Sequence, residues 1–446
     1  MAFYNSGIKT HVFDPILTLN NNRVEFQLPE GALYLSSLRI HNFGATMATA
    51  GAKLNNKAGI YSYIRNITLF DGSVVLDQLR SCSQWMAWKN TNRANRNQIG
   101  LDALKKGSDL GVILDATNEG KCAFPYPVPG VGITNNSSSR YTLNLREVLP
   151  FLRNTQYVPS MVFKNLRIVI ELEIDTNSTL ETNTNVASLV TLTDSLLVCD
   201  EVVNQQVVQQ AINNWQGVSF SCIELDSFLS PSDTAVTAAG LSNVGKTSVI
   251  LHGFAGKFVN RIMLMAVPTS TTAMVAASQL ISAGGCRAVA NPGEVIQIQL
   301  NGQNMFPGAG VSAPNQKTAM LHDTWGMFSC PPGSNLPGTF FQGVAASQIG
   351  GTAFQRQMIS ANGWFGCHIR NRVDSLQVDY SRLQYIPTGM PLPIAAGNTQ
   401  GQNADITHNG SPTGHPAVGG QNIMVFAEIR KSVIMGPNGT YRVVYN

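Results

Sequence analysis

The sharpest chemical pattern in the sequence is Gly240-Leu-Ser-Asn-Val-Gly245-Lys246-Thr247, which satisfies the phosphate-loop spacing G-x-x-x-x-G-K-[ST]. In a working phosphate loop, successive backbone N–H groups hold the phosphates, the lysine supplies charge and the hydroxyl meets magnesium. A helix follows, with its dipole facing the nucleotide. The flanks here withhold that setting. Upstream, Ser230-Pro-Ser-Asp-Thr-Ala is polar and turn-like where a buried parallel strand should lead in. Downstream, Ser248-Val-Ile-Leu-His252-Gly253 favours strand where a helix should begin. With 40 glycines among 446 residues, coincidence has to be weighed against function, and with these flanks the reading is a surface loop between strands rather than a nucleotide site.

Other residues able to do chemistry are equally scattered. His11, His41, His252, His322, His368, His408 and His415 stand far apart, with no His-Glu-x-x-His and no cysteine spacing suited to zinc. Cys82, Cys122, Cys199, Cys222, Cys286, Cys330 and Cys367 are odd in number and form no Cys-x-x-Cys, a pattern of reduced, buried thiols in a cytosolic setting. Glycosylation is then not expected at Asn66 or Asn438, although both head Asn-x-Thr triplets. Glu171 and Glu173 share one face of a strand, which reads as a solvated face. Trp85, Trp88 and Trp325 offer a base-stacking platform on paper, but aromatics in helix-like stretches read first as core or interface anchors. No catalytic, cofactor-binding or metal-ligating residue is assigned, and no enzyme or cofactor is expected.

The elements that would position such residues are almost all strands. Val24, Phe26 and Leu28 alternate with polar partners, as do Tyr141, Leu143 and Leu145, and Leu166 through Ile174 at every second position. Residues two apart lie on one side of a pleated ribbon, so each segment offers one face to a core. The second half repeats the habit at Ile296, Ile298 and Leu300, at Leu376, Val378 and Tyr380, and at Ile423, Val425, Ala427 and Ile429. Near the midpoint, Val203, Val207, Val208, Ala211, Ile212 and Trp215 recur at spacings of three and four. This predicts a helix over 200–215, with Asp200 and Glu201 at its positive end and its apolar face packed on both halves. The halves echo each other: Asp71-Gly72 follows one strand and precedes a predicted helix through Trp85 and Trp88, and Asn301-Gly302 follows another, with Met320, Leu321 and Trp325 beyond it. Both dipeptides suit tight hairpins. Long Gly-, Pro- and Asn-rich loops are expected over 331–363 and 386–422, the latter with Pro387, Pro391, Pro393 and Pro412.

Composition bounds the surface. Only 13% of residues are charged, about half the usual ~25%, and mean hydropathy is +0.01. So sparse a charge protects poorly against association, which predicts that much of the surface is covered by other subunits. A net charge of +4 is too mild to identify a nucleic-acid binder. The densest basic stretch is Arg80, Lys89, Arg93, Arg96, Lys105 and Lys106, which reads as a solvated or subunit-facing surface with at most weak genome contact. The opening MAFYNSGIKTHVF has neither a cationic leader nor a sustained apolar core, so no signal peptide is expected, and no apolar run has the length of a membrane helix.

Three segments carry a resemblance to a known family: Tyr63-Ile-Arg-Asn-Ile-Thr-Leu-Phe-Asp-Gly-Ser-Val-Val-Leu-Asp-Gln-Leu79, Leu196-Leu-Val-Cys-Asp-Glu-Val-Val203, and Tyr441-Arg-Val-Val-Tyr445. The chain resembles the double jelly-roll major capsid proteins of virophages and polinton-like double-stranded DNA viruses, in the lineage of adenovirus and the large DNA viruses. The resemblance implies an all-β fold of two tandem antiparallel eight-stranded jelly rolls joined by a short helix: 1–198, a connector at 199–217, and 218–446. It further implies a homotrimer that forms pseudo-hexameric capsomers tiling an icosahedral shell, with neighbouring capsomers, penton and minor capsid proteins as partners. The protein would be made in the host cytoplasm and reside in the virion, without membrane insertion. The competing expectation is a β-sandwich spike, attachment or carbohydrate-binding protein, because jelly rolls serve both purposes.

Overall fold

The computed structural model describes residues 7–19, 23–46, 58–93, 138–172, 195–230, 246–254, 257–268, 295–300, 303–308, 310–311, 365–368, 390–391, 405–409, 421–436 and 440–445. The predicted helix around Met320 and Trp325, the strand at 376–380, and most of the loops at 331–363 and 386–422 lie outside them.

Eleven described strands precede residue 203: β1 (Ile8–Phe13), β2 (Leu17–Leu19), β3 (Arg23–Gln27), β4 (Leu33–Leu35), β5 (Arg39–Thr46), β6 (Ile64–Asp71), β7 (Val74–Arg80), β8 (Ser138–Asn144), β9 (Tyr157–Pro159), β10 (Leu166–Leu172) and β11 (Leu196–Val202). They form two antiparallel sheets. One runs β8-β5-β11-β4-β9, with β1 also on β11, and the other runs β2-β3-β10-β6-β7. The alternation seen in sequence sorts side chains between the two sides. Val24, Phe26, Ile67, Leu69, Ile168 and Ile170 of the second sheet share one buried cluster with Ile40, Phe43, Tyr141, Leu143 and Leu197 of the first. In β5 a bulge between Ile40 and Phe43 lets both face inward. Asn42 takes a left-handed φ of 55° there, which asparagine tolerates better than most residues. The Asp71-Gly72 turn is where the sequence placed it, with Gly72 at φ 58° between β6 and β7.

The later strands are β12 (Gly217–Ser230), β13 (Lys246–Ile250), β14 (Phe258–Pro268), β15 (Val295–Leu300), β16 (Gln303–Asn304), β17 (Phe365–His368), β18 (Met390–Pro391), β19 (Asp405–Asn409), β20 (Gln421–Met435) and β21 (Tyr441–Tyr445). They build a second antiparallel pair. One sheet is ordered β12-β20-β14-β17, with β21 on β20 and β18 on β14, and the other is β13-β19-β15-β16. Leu300 faces Gln303, the register of the two-residue connection that Asn301-Gly302 signals.

Three α-helices are described: α1 (Cys82–Arg93), α2 (Pro150–Asn154) and α3 (Gln205–Asn214). The midpoint helix is shorter than its apolar spacing predicts. Asp200 and Glu201 belong to β11, where Asp200 accepts from the Thr10 hydroxyl at 2.7 Å and Glu201 meets His11 Nε2 at 2.6 Å. Neither charge serves the helix dipole. Asn204 caps α3 instead, its side-chain oxygen accepting from Gln206 N–H at 3.1 Å. The apolar face also packs differently from expectation. Val207, Val208, Ala211 and Ile212 cover Leu33, Leu35, Tyr157 and Val202, a cluster apart from the main core and on the first half alone. Only Trp215, the residue that ends the helix, joins the main core, edge-on to Phe163 at 5.4 Å. The reason is the period-2 strand leading into the helix: Val202 shows the same outer side of the sheet as Leu33, and α3 folds back over that side.

Candidate functional site

Among the described residues, the structure gathers none of the sequence's chemistry-bearing groups into a catalytic constellation. Lys246 and Thr247 open β13, antiparallel to β19 in a register that sets Lys246 opposite Asn409 and Thr247 opposite His408. A strand therefore occupies the place where a phosphate loop needs its helix; Gly240 and Gly245 lie outside the described residues. Among the described residues no group of three or more His, Cys, Asp or Glu is placed to hold a metal ion.

The single candidates have ordinary partners. His11 pairs with Glu201, and His41 Nε2 accepts from Arg39 Nε at 3.1 Å; burial, then the Arg39 charge, pushes the His41 pKa down. Only the backbone of His252, His368, His408 and Cys367 is described, while His322, His415, Cys122, Cys286 and Cys330 lie outside. Cys82, Cys199 and Cys222 are buried free thiols, as the scattered spacing predicted. Burial pushes all three pKa values up, Cys199 to about 12, which suppresses the reactive thiolate. Exposed Glu171 accepts from the Asn66 amide at 2.6 Å, and Glu173 lies outside. Of the basic stretch, Arg80 closes β7 and donates to Gln78, while Lys89 on α1 donates to the Glu147 carbonyl at 2.9 Å. Arg93 ends α1, and Arg96, Lys105 and Lys106 lie outside the described residues.

Trp85 is an anchor, not a stacking platform. It is 5% exposed on α1, with its ring 5.3 Å from Phe426 on β20. The side chain of Trp88 and all of Trp325 lie outside the described residues. The Trp85 contact marks the most elaborate feature of the molecule, the joint between the two pairs of sheets. There, Phe151 of α2 meets Phe220 of β12 edge-on at 5.6 Å, and Phe163 meets Tyr441 of β21 at 5.0 Å. Polar ties run through the same layer. The Tyr441 hydroxyl donates to Asp71 Oδ2 at 2.6 Å, and Lys431 Nζ of β20 donates to the Val75 carbonyl of β7 at 3.2 Å. A cleft on one side of the joint is lined by Trp85, Lys89, Arg153, Ile223, Arg261 and Glu428, with Arg261 and Glu428 ion-paired.

Sequence reasoning missed the buried charges at this joint, although one signal was present. Ala427, Ile429, Lys431 and Val433 occupy one alternating row of β20, and all are buried. A lysine in an apolar row is a position that needs a partner. Asp77 was harder to find, because β6 and β7 slip register between Leu69 and Phe70 and the alternation breaks there.

The outside of the first sheet carries the other notable surface. On β1, which among the described residues pairs only with β11, Ile8 is 50% and Val12 56% exposed, and Ile16 and Val203 are exposed nearby. An uncovered strand edge with apolar side chains favours association. No helix among the described residues is long and apolar enough to cross a membrane.

No family model and no curated protein matches the sequence. Solved structures do match. PBCV-1 VP54 fitted into a reconstruction of the virophage Sputnik superposes with a TM-score of 0.57 at 10% identity, over 99% of this chain and 97% of that one. The Sputnik virophage structure determined by cryo-EM gives 0.57 at 12% identity, over 98% and 88%. The mavirus major capsid protein gives 0.52 at 10% identity, over 100% and 91%. Two antiparallel sheet pairs in tandem, matched end to end at such low identity, establish that this chain has the double jelly-roll fold found in virophage and large DNA virus major capsid proteins.

Proposed function

We propose that the protein is a non-enzymatic major capsid protein that trimerises into pseudo-hexameric capsomers tiling an icosahedral viral shell. The observation that carries this reading is the likeness to the mavirus major capsid protein, which covers 100% of this chain and 91% of that one rather than one sandwich alone. Physical chemistry independent of that likeness points the same way. With only 13% of the chain charged, its surface costs comparatively little to desolvate, and Ile8 and Val12 are exposed on β1, which among the described residues pairs only with β11. Fold alone does not choose between shell and spike, but a surface poor in charge over the full length suits extensive burial better than a local binding site.

In this reading residues 1–198 and 218–446 are the two jelly rolls and 199–217 the connector. The support is that, among the described residues, every strand pairs within its own half, although β11 continues to Val202. Neighbouring capsomers, penton and minor capsid proteins are the expected partners, with at most weak genome contact through the basic stretch near α1. The protein would be made in the host cytoplasm and reside in the virion. Negative-stain images of the purified protein test the proposal. Flat particles with hexagonal outline, alone or tiled, are expected; isolated particles of single-subunit size at all concentrations would overturn it and favour an attachment or carbohydrate-binding protein.

A further inference from the structure

The connector helix α3 shows solvent a face without charge. Gln205, Gln206, Gln209, Gln210, Asn213 and Asn214 are exposed, while Val207, Val208, Ala211 and Ile212 turn to the first sheet. At about 100° per residue, those six amides fill one continuous half of the helix surface. No charged residue lies between Glu201 and Glu224. The low charge of the chain as a whole does not account for this, because α1 carries Lys89 and Arg93, and α2 carries the exposed Arg153.

An apolar margin continues this face onto β1. Val203, beside the helix cap, is 46% exposed, and its N–H donates to the Gly7 carbonyl. Gly7 has a φ of 53°, and a Cβ there would come within 3.0 Å of Asn204, so glycine lets the start of β1 lie against the cap. Ile8 is in register with Val202, which α3 covers, so Ile8 stands at the edge of the helix footprint. Thr10 and Val12 follow on the same side of the strand, and all three are exposed.

We propose that α3 and the adjoining side of β1 meet the same face of a second copy of this chain, helix against helix about a two-fold axis. Charges on a helix's outer face hold water and keep copies apart, and amides do neither as strongly. Each amide offers a carbonyl acceptor and two N–H donors, so a row of amides is complementary to another row like itself, with no charge to desolvate on either side. A strongly charged partner, nucleic acid included, finds no opposite charge on this face. The proposal rests on the capsid reading, in which this contact joins one capsomer to the next, because a patch that meets itself cannot close a three-fold ring. Its size agrees. The six amides with Ile8, Thr10, Val12 and Val203 make ten exposed residues a side, fewer than the roughly 20–30 of a stable pairwise interface, as suits a contact strengthened by repetition across a shell.

Sedimentation velocity of the full-length protein over a concentration series separates trimer formation from the association of trimers. Two double variants, Gln206→Glu with Gln210→Glu and Gln206→Lys with Gln210→Lys, put like charges one turn apart on the exposed face while keeping good helix formers there. Each should form trimers as the wild type does, and should associate beyond the trimer roughly tenfold more weakly or worse, with the loss shrinking in high salt. An equimolar mixture of the two should recover association, because unlike charges then face each other across the axis. Should the lysine pair fray α3, the glutamate pair and its salt dependence decide the matter. Variants that associate as well as the wild type, a mixture no better than its components, or wild-type trimers that never associate would overturn the proposal and leave the capsid reading standing. Absence of a trimer in the wild type would overturn both.

Discussion

The first sandwich and the joint solve the problem of burial in different ways. Between the sheets of the first sandwich, Phe26, Phe43, Leu69, Ile168 and Ile170 fill the interior with apolar side chains set by strand alternation. At the joint, the rings of Trp85, Phe151, Phe163 and Phe426 share the layer with Asp71, Asp77 and Lys431. Apolar packing is non-directional and rewards area, so it holds two sheets together without fixing their relative angle finely. Hydrogen bonds and buried charges demand particular partners, so they fix how one jelly roll sits on the other. Of the buried charges among the described residues, Asp77 and Lys431 lie at the joint, whereas Glu25 lies on β3 beside Arg23 and Arg167.

That contrast can be broken from the sandwich side first. Phe26→Ala should cost about 3–5 kcal/mol in chemical unfolding, because the large cavity it leaves lies between two sheets that cannot collapse freely. A smaller effect is expected at the joint. Tyr441→Phe removes the donor to Asp71 and should cost about 1.5 kcal/mol, seen as lost exchange protection in 441–445 and 64–71 with little change in 166–172. The smallest effect belongs to the connector. Asn204→Ala should cost about 1 kcal/mol and be visible as fraying of α3 in exchange, since its cap supports a helix packed on the first sheet alone. A Tyr441→Phe loss spread evenly through both sandwiches would erase the distinction between joint and core.

Much of this was legible in the sequence, and the limits have physical causes. The alternation at Val24 to Leu28, Leu166 to Leu172 and Ile423 to Ile429 became β3, β10 and β20, because a half-buried strand leaves a period-2 record. The Asp71-Gly72 hairpin was readable because that turn restricts its residues. The start of α3 was misread because Asp200 and Glu201 suit either a helix N-terminus or the end of a strand, and only the partners Thr10 and His11, 190 residues away, decide between them. The joint was hidden for the same reason. Asp77 and Phe151 are 74 residues apart and Lys431 and Val75 are 356 apart, so no local pattern records their meeting. The order of strands within each sheet came from resemblance, since alternation shows which face is buried but not which strand is the neighbour.

The central claim is that this fold acts by assembling with copies of itself. Light scattering of the purified protein across a concentration series measures that directly. A stable particle of about 144 kDa, three times the 48.1 kDa chain, is the predicted result. A monomer persisting at high concentration would contradict the account, because a surface so poor in charge would then have no partner to cover it.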